Sequence, residues 1–231
     1  MREIVFDTET TGLDPATGDR VVEIGCVELL NRIPTGAVFH VYLNPQRDMP
    51  EEAFRVHGLT SEFLADKPTF AEVAADFVGF IGDARLVAHN ATFDIGFLNA
   101  ELQRAGAGQI AQERIVDTLL LARRRNPGGS NNLDALCQRY GIDLSRRVKH
   151  GALLDAELLA EVYLELLGGR QASLGLGVQT IGRSAGVEIR VVRTRPAPLV
   201  PRLVEADIEA HAAFVARLGG AAIWLDYAPA Q

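Results

Sequence analysis

The sequence predicts an α/β fold with helices packed on one central sheet. Three observations carry this: strand-like runs follow one another near the N terminus, strand and helix patterns then alternate, and the alternation stops near Gly168-Gly169. Glu3-Ile4-Val5-Phe6, Val21 to Leu30 and Val38 to Leu43 are apolar or β-branched runs bounded by turn residues, the pattern of a strand meander. Thr69-Phe70-Ala71-Glu72 spells a capping box, and Phe70, Val73, Phe77 and Ile81 follow at the spacing of one helix face. Next come a short strand at Arg85 to Ala88, a helix from Phe93 to Ala105 closed by Gly106, and the apolar pair Ile115-Val116. Helices from Asn132 to Tyr140 and from Ala152 to Leu167, ended by Gly141 and Gly168, complete the pattern. No internal repeat is present.

Beyond the boundary the chain changes character. Residues 170–203 hold six arginines against the single acid Glu188, interleaved with Gly and Pro, and read as a flexible basic linker. Ile208, Ala212, Val215 and Leu218 then fall on one face of a short helix, stopped by Gly219-Gly220 and followed by the apolar Ala221 to Leu225. Such a helix and strand cannot bury themselves alone.

Bulk composition narrows the function. A chain of 231 residues, 48% of them hydrophobic, can build one packed core and a smaller appendage. Its two cysteines, Cys26 and Cys137, lie outside any CxxC or Cys/His cluster, so neither a disulfide framework nor a zinc site is expected and a reducing cytoplasm fits. Strand pattern from Ile4 onward leaves no room for a signal peptide, and no uncharged apolar run reaches bilayer length. The net charge of -7 argues against coating nucleic acid by bulk electrostatics; a protein touching one strand end would need something local to offset its acidity.

The chemistry concentrates in three segments. In Phe6-Asp7-Thr8-Glu9-Thr10-Thr11-Gly12, strand alternation puts Asp7 and Glu9 on one face. Two carboxylates held together repel unless a cation neutralises them, so the pair suits a divalent metal; the plain alternative is a polar strand end. Asp94, in His89-Asn90-Ala91-Thr92-Phe93-Asp94, starts a helix and alone reads as a helix-start acid. In His150-Gly151-Ala152-Leu153-Leu154-Asp155, Asp155 sits in an apolar helix front and must turn outward or be paired, while His150 alone could be a loop histidine. Removing an acid from a repelling cluster is expected to stabilise the metal-free protein.

The order D-x-E, Asn-x-x-x-Asp, His-x-x-x-x-Asp resembles the DEDD exonuclease superfamily, in the branch whose last motif carries His. The resemblance implies an RNase H-like mixed five-stranded sheet flanked by helices, with Asp7, Glu9, Asp94 and Asp155 gathering two Mg²⁺ or Mn²⁺ ions for phosphodiester hydrolysis. It makes His150 the general base, since an unperturbed imidazole accepts a proton near neutral pH. The product would be a nucleoside 5′-monophosphate.

Further segments resemble the epsilon proofreading subunits of bacterial DNA polymerase III: Phe39 to Pro45, Ala53 to Thr60, Asp66 to Ala74, Leu133 to Cys137 and His150 to Gly169. The resemblance implies that Glu52 and His57 contact the terminal nucleotide, with Glu9 and Asp155 also facing substrate; on residues alone His57 is a loop packing residue. It divides the chain into a 3′–5′ exonuclease domain (1–169), the linker (170–203) and a polymerase-binding tail (204–231) that would hold the polymerase III alpha subunit. Gln171-Ala172-Ser173-Leu174-Gly175-Leu176 is similar to the peptides that bind the sliding clamp, with Gln171, Leu174 and Leu176 as anchors; a bare linker is the alternative. The substrate implied is a DNA 3′ end, single-stranded or frayed. A free-standing nuclease trimming RNA or short oligonucleotides would share every catalytic residue but not need the clamp-like peptide and tail, and a non-catalytic scaffold would have no reason to keep repelling acids together.

Overall fold

A computed structural model of the chain describes residues 1–145, 147, 149–168 and 204–220. Five strands form one sheet: β1 (Arg2–Thr10), β2 (Val21–Leu30), β3 (Ile33–Tyr42), β4 (Arg85–Ala88) and β5 (Ile115–Asp117), in the order β3-β2-β1-β4-β5. The meander β1-β2-β3 is antiparallel, whereas β4 and β5 join parallel to β1. Parallel neighbours need a crossover, and helices supply it. These are α1 (Glu51–His57), α2 (Ser61–Leu64), α3 (Phe70–Ile81), α4 (Ala91–Arg104), α5 (Thr118–Arg125), α6 (Leu133–Tyr140) and α7 (Ala152–Leu166). The expected five-stranded mixed sheet flanked by helices is the one observed.

Strand alternation sorts the two faces. Ile4 and Phe6 of β1, with Ile24 and Cys26 of β2, pack against Phe70, Phe77, Leu98 and Leu102 of α3 and α4. Val5 and Leu29 point the other way, onto Leu159 and Tyr163 of α7. Asp7 and Glu9 continue the parity of Val5, so they emerge on the α7 side just where the apolar run ends.

Three differences from expectation have physical reasons. α4 begins at Ala91, two residues early, because Asn90 adopts a left-handed conformation (φ 64°, ψ 48°) that turns the chain directly from β4 into the helix; asparagine tolerates that region better than most residues. β3 starts at Ile33 rather than Val38, since the tight turn at Asn31 and Arg32 lets it pair with β2 almost from the first residue. The short helices α1, α2 and α5 had no sequence forecast: they carry too few turns for periodicity to register.

A second unit holds α8 (Glu205–Leu218). Val204, Ile208, Phe214 and Leu218 are all about half exposed, so the helix presents an apolar stripe and buries none of its residues. Residues 170–203, with Gln171, Leu174 and Leu176, and the apolar run Ala221 to Leu225 lie outside the described residues.

Candidate active site

The site forms where β1 runs out of apolar residues. Gly25 of β2 pairs with Asp7, and a Cβ placed there would lie 2.2 Å from the backbone nitrogen of Leu153. Only a glycine lets the first turn of α7 settle on the sheet, and that contact brings Asp155 and His150 beside Asp7 and Glu9. Gly25→Ala is therefore expected to push α7 outward, costing about 1–3 kcal/mol of stability and most of the activity; a calorimetric melt and an exonuclease assay check both, and full activity would remove Gly25 from this role.

Asp94 comes from the opposite layer. Thr8 points to the α4 side, its Oγ1 and backbone N–H donating to Asp94 Oδ1 at 2.7 and 3.2 Å. These bonds draw the carboxylate around the strand end, close enough to raise the pKa of Asp7. The four predicted acids are thus brought together, with Glu9, Asp94 and Asp155 all buried.

Their electrostatics are those of buried carboxylates that repel one another. Burial, and then Asp94, Glu9, Asp155 and Glu23, push Asp7 well above the usual carboxylate range. Burial, with Glu23, Asp155 and Asp94, pushes Glu9 up to about 8. Burial raises Asp94 to about 7 in spite of its bonds from Thr8. Glu23, opposite Glu9 in the ladder, is a fifth acid of the cluster, hydrogen-bonded to His40 Nε2 at 2.7 Å. It is an acid inside an otherwise apolar strand half, a signal the sequence did offer.

Asp155 behaves differently. Burial alone would raise it, yet hydrogen bonds from Arg147 and His150 hold its pKa below the ordinary value. Arg147 grips it with both arms of the guanidinium, Nε to Oδ1 at 2.5 Å and Nη2 to Oδ2 at 2.7 Å, and reaches Asp134 of α6 with Nη1. Sequence reasoning missed Arg147, because nothing in a loop arginine three residues before His150 states which carboxylate it will meet.

His150 Nδ1 lies 3.1 Å from Asp155 Oδ2 and 2.8 Å from Arg147 Nη2. Arginine only donates, so the two contacts call for different states of the ring. When Nδ1 carries the proton it donates to Asp155 and leaves Nε2 free to accept one; when Nδ1 accepts from Arg147, a neutral ring has its proton on Nε2. The imidazole is about half exposed, and Glu9, His150 and Asp155 each place a ligand atom within 4.8 Å of the others.

Beside the acids opens a cleft of about 410 Å³, walled by Thr8 to Leu13 at the end of β1, by Glu52, Val56 and His57 of α1, and by Phe93 of α4. Glu52 is exposed at its edge. His57 is buried, its Nδ1 accepting from the Leu59 N–H at 3.1 Å while Nε2 is left to the Thr10 backbone, with a contact too poor in geometry to count as a full hydrogen bond. Burial lowers its pKa, which favours the neutral ring with a hydrogen on Nε2.

An exonuclease family model, RNase_T, matches residues 4–163, from within β1 to within α7. The DNA polymerase III subunit epsilon of Escherichia coli is 46% identical over 236 residues, 96% of this chain and 97% of its own length. The chain belongs to the exonuclease family of DNA polymerase III epsilon subunits. The epsilon subunit of Rickettsia conorii is likewise 46% identical over 226 residues, covering 94% of this chain and 96% of its own, and that of Rickettsia prowazekii 53% over 176 residues, covering 75% and 77%. Two solved structures share the fold: the nuclease domain of 3′hExo, a DEDDh family member bound to rAMP (TM-score 0.62, 17% identity, 72% of this chain and 91% of that one), and exonuclease X with 5′-overhanging duplex DNA (0.55, 24%, 72% and 90%). Epsilon-family membership makes the chain a nuclease dependent on divalent metal, and the mutually repelling acids fit that requirement.

Proposed function

We propose that this chain is a 3′–5′ exonuclease that proofreads DNA synthesis as the epsilon subunit of a bacterial DNA polymerase III, removing the terminal nucleotide as a 5′-monophosphate. The observation that carries the reading is the convergence of Asp7, Glu9, Asp94 and Asp155 with His150 beside a nucleotide-sized cleft. The relationship to epsilon subunits along nearly the whole chain favours it over a free-standing trimming enzyme.

The four acids would hold two divalent ions, and all-oxygen donors suit Mg²⁺ or Mn²⁺. When bound, the ions supply Lewis acidity and positive charge at the scissile phosphate. Everything else falls to the chain. The cleft takes the terminal nucleotide, with Phe93, Val56 and Leu13 against the base and the His57 ring and the Glu52 carboxylate against the sugar; Glu9 lines the cleft, and Asp155 would face the substrate from beside it. His150, with Nδ1 turned to Asp155, accepts the proton of the attacking water at Nε2. The plain rival role for His150 is as a ligand, favoured by its approach to Glu9 and Asp155.

The reading also assigns the rest of the chain. Residues 1–169 are the nuclease domain and 170–203 a flexible basic linker. The clamp would be held by Gln171, Leu174 and Leu176, the polymerase alpha subunit by 204–231, and the work takes place in the cytoplasm, on a single-stranded or frayed 3′ end. The exposed apolar stripe of α8 supports a docking role for the tail. Truncation after Gly169 is expected to leave metal-dependent, EDTA-sensitive hydrolysis of single-stranded oligonucleotides intact while abolishing capture by the polymerase catalytic subunit. Joint replacement of Gln171, Leu174 and Leu176 by Ala should weaken clamp binding alone. Undiminished capture by the truncated chain would overturn the tail assignment, and digestion insensitive to EDTA would overturn the nuclease reading.

A further inference from the structure

A chain with a net charge of -7 and an acidic mouth must hold a polyanion beyond the reacting nucleotide against its own field. One exposed polar cleft answers this. It has a volume of about 470 Å³ and is bounded by His89 and Asn90 at the end of β4, Arg123 on α5, and Asn131 and Asn132 ahead of α6.

Arg123, Arg124 and Arg125 make the last turn of α5. Arg125 is tied to the Glu165 carbonyl at 2.9 Å, whereas Arg123 and Arg124 are exposed and have no hydrogen bond or ion pair among the described residues. Cations at a helix C terminus are favourable in themselves, but that effect needs no cleft. The placement does more. β1, β4 and β5 run parallel, so the cleft opens at the same edge of the sheet as Asp7; Asn90 begins α4 and Asp94 lies one turn along it, about 6 Å by helix rise. A strand whose 3′ end reaches Asp94 can continue past Asn90 into this cleft, where the neighbouring Asp117 carboxylate accepts from the backbone N–H groups of Asn90 and Leu119 at 3.1 and 2.8 Å and Arg123 offsets its charge.

We propose that Arg123, which lines this cleft, with Arg124 beside it in the last turn of α5, binds the phosphodiester backbone of the substrate strand upstream of the terminal nucleotide. The assignment rests on the nuclease reading. Two exposed guanidiniums carried on one helix turn can contact phosphate without reading sequence, so they track any strand.

The test compares wild type with Arg123→Gln/Arg124→Gln on single-stranded dT12 and on thymidine 5′-monophosphate p-nitrophenyl ester, which has no upstream phosphate. The slope of log(kcat/KM) for dT12 against log salt should become shallower by about 1.4, that is about 0.7 for each lost phosphate contact on a single strand. KM for dT12 should rise at unchanged kcat, and ester hydrolysis should not change. Anisotropy of labelled dT12 in EDTA reads the same slope without catalysis. An unaltered slope, or equal losses on both substrates, overturns the proposal; if wild type cleaves neither substrate the nuclease reading falls, and the anisotropy slope still decides the arginines.

Discussion

Asp7→Ala and Asp155→Ala should each abolish excision yet shift the stability of the metal-free protein in opposite directions. The activity loss is common to both because each would remove a carboxylate from the divalent cation site. Lewis-acid stabilisation is worth several kcal/mol, so the rate should fall roughly 10³-fold or more. The stability effects divide on the partners. The pKa of Asp7 is raised by burial and by four neighbouring acids, so the native state holds its proton at pH values where the unfolded chain has released it. Stability from that group is present below the unfolded value near 3.9 and is lost as pH rises through the folded one. In EDTA wild type therefore holds less of it at pH 8 than at pH 5, and at pH 8 Asp7→Ala should melt a few degrees higher, by roughly 2–4 °C for each kcal/mol recovered. Asp155, whose pKa is lowered chiefly by Arg147 against its burial, contributes stability above the unfolded value and loses it only as pH falls through the folded one. Its removal strands Arg147, whose side chain is 9% exposed, at a cost of about 3–5 kcal/mol. The sequence expectation that losing any acid of the cluster stabilises the metal-free protein is thus corrected for Asp155. Melts of both variants in EDTA at pH 5 and pH 8 check this; a lower melt for Asp7→Ala at pH 8 would refute the repulsive cluster, and full excision by either variant would refute the cation site.

What the sequence disclosed and what it withheld follow from the range of the forces involved. Asp7 and Glu9 could be placed on one face because strand parity is local, and the capping box at Thr69 forms as written, with Glu72 accepting from the Thr69 N–H at 2.7 Å. Asp94 and Asp155 could be named from motif spacing, but not the layers from which they arrive. That depended on Thr8, whose side chain crosses to the α4 side, and on Gly25, whose missing Cβ makes room for α7. Arg147 was invisible for the same reason: its partners Asp134 and Asp155 lie 13 and 8 residues away on different helices. Residues that meet along one element were legible; those that meet between elements were not.

His150→Ala should slow excision by about 10²- to 10⁴-fold, the contribution of a positioned general base, while leaving divalent metal affinity unchanged. The geometry sets up the contrast. As a base, His150 donates from Nδ1 to Asp155 Oδ2 and receives the water proton at Nε2, so its loss removes a proton acceptor and no metal ligand. As a ligand, it completes the trio with Glu9 and Asp155, and its loss should weaken Mn²⁺ binding by about tenfold or more. Titration calorimetry with Mn²⁺ separates the two outcomes. The pH profile adds a second reading, provided metal is saturating, because without it Glu9, raised to about 8, and Asp94, raised to about 7, also titrate in the neutral range. Under saturation any limb of the pH–rate profile that depends on the imidazole should be present in wild type and absent from the variant. Arg147 sharpens the test: it competes for the same Nδ1 at 2.8 Å, and in that contact the neutral ring's proton sits on Nε2, where it cannot accept another. Excision therefore requires His150 to be turned to Asp155, which binds the base to a carboxylate of the proposed cation site. Identical pH profiles for wild type and His150→Ala, or a Mn²⁺ affinity that falls with the histidine, would remove His150 from the role of base.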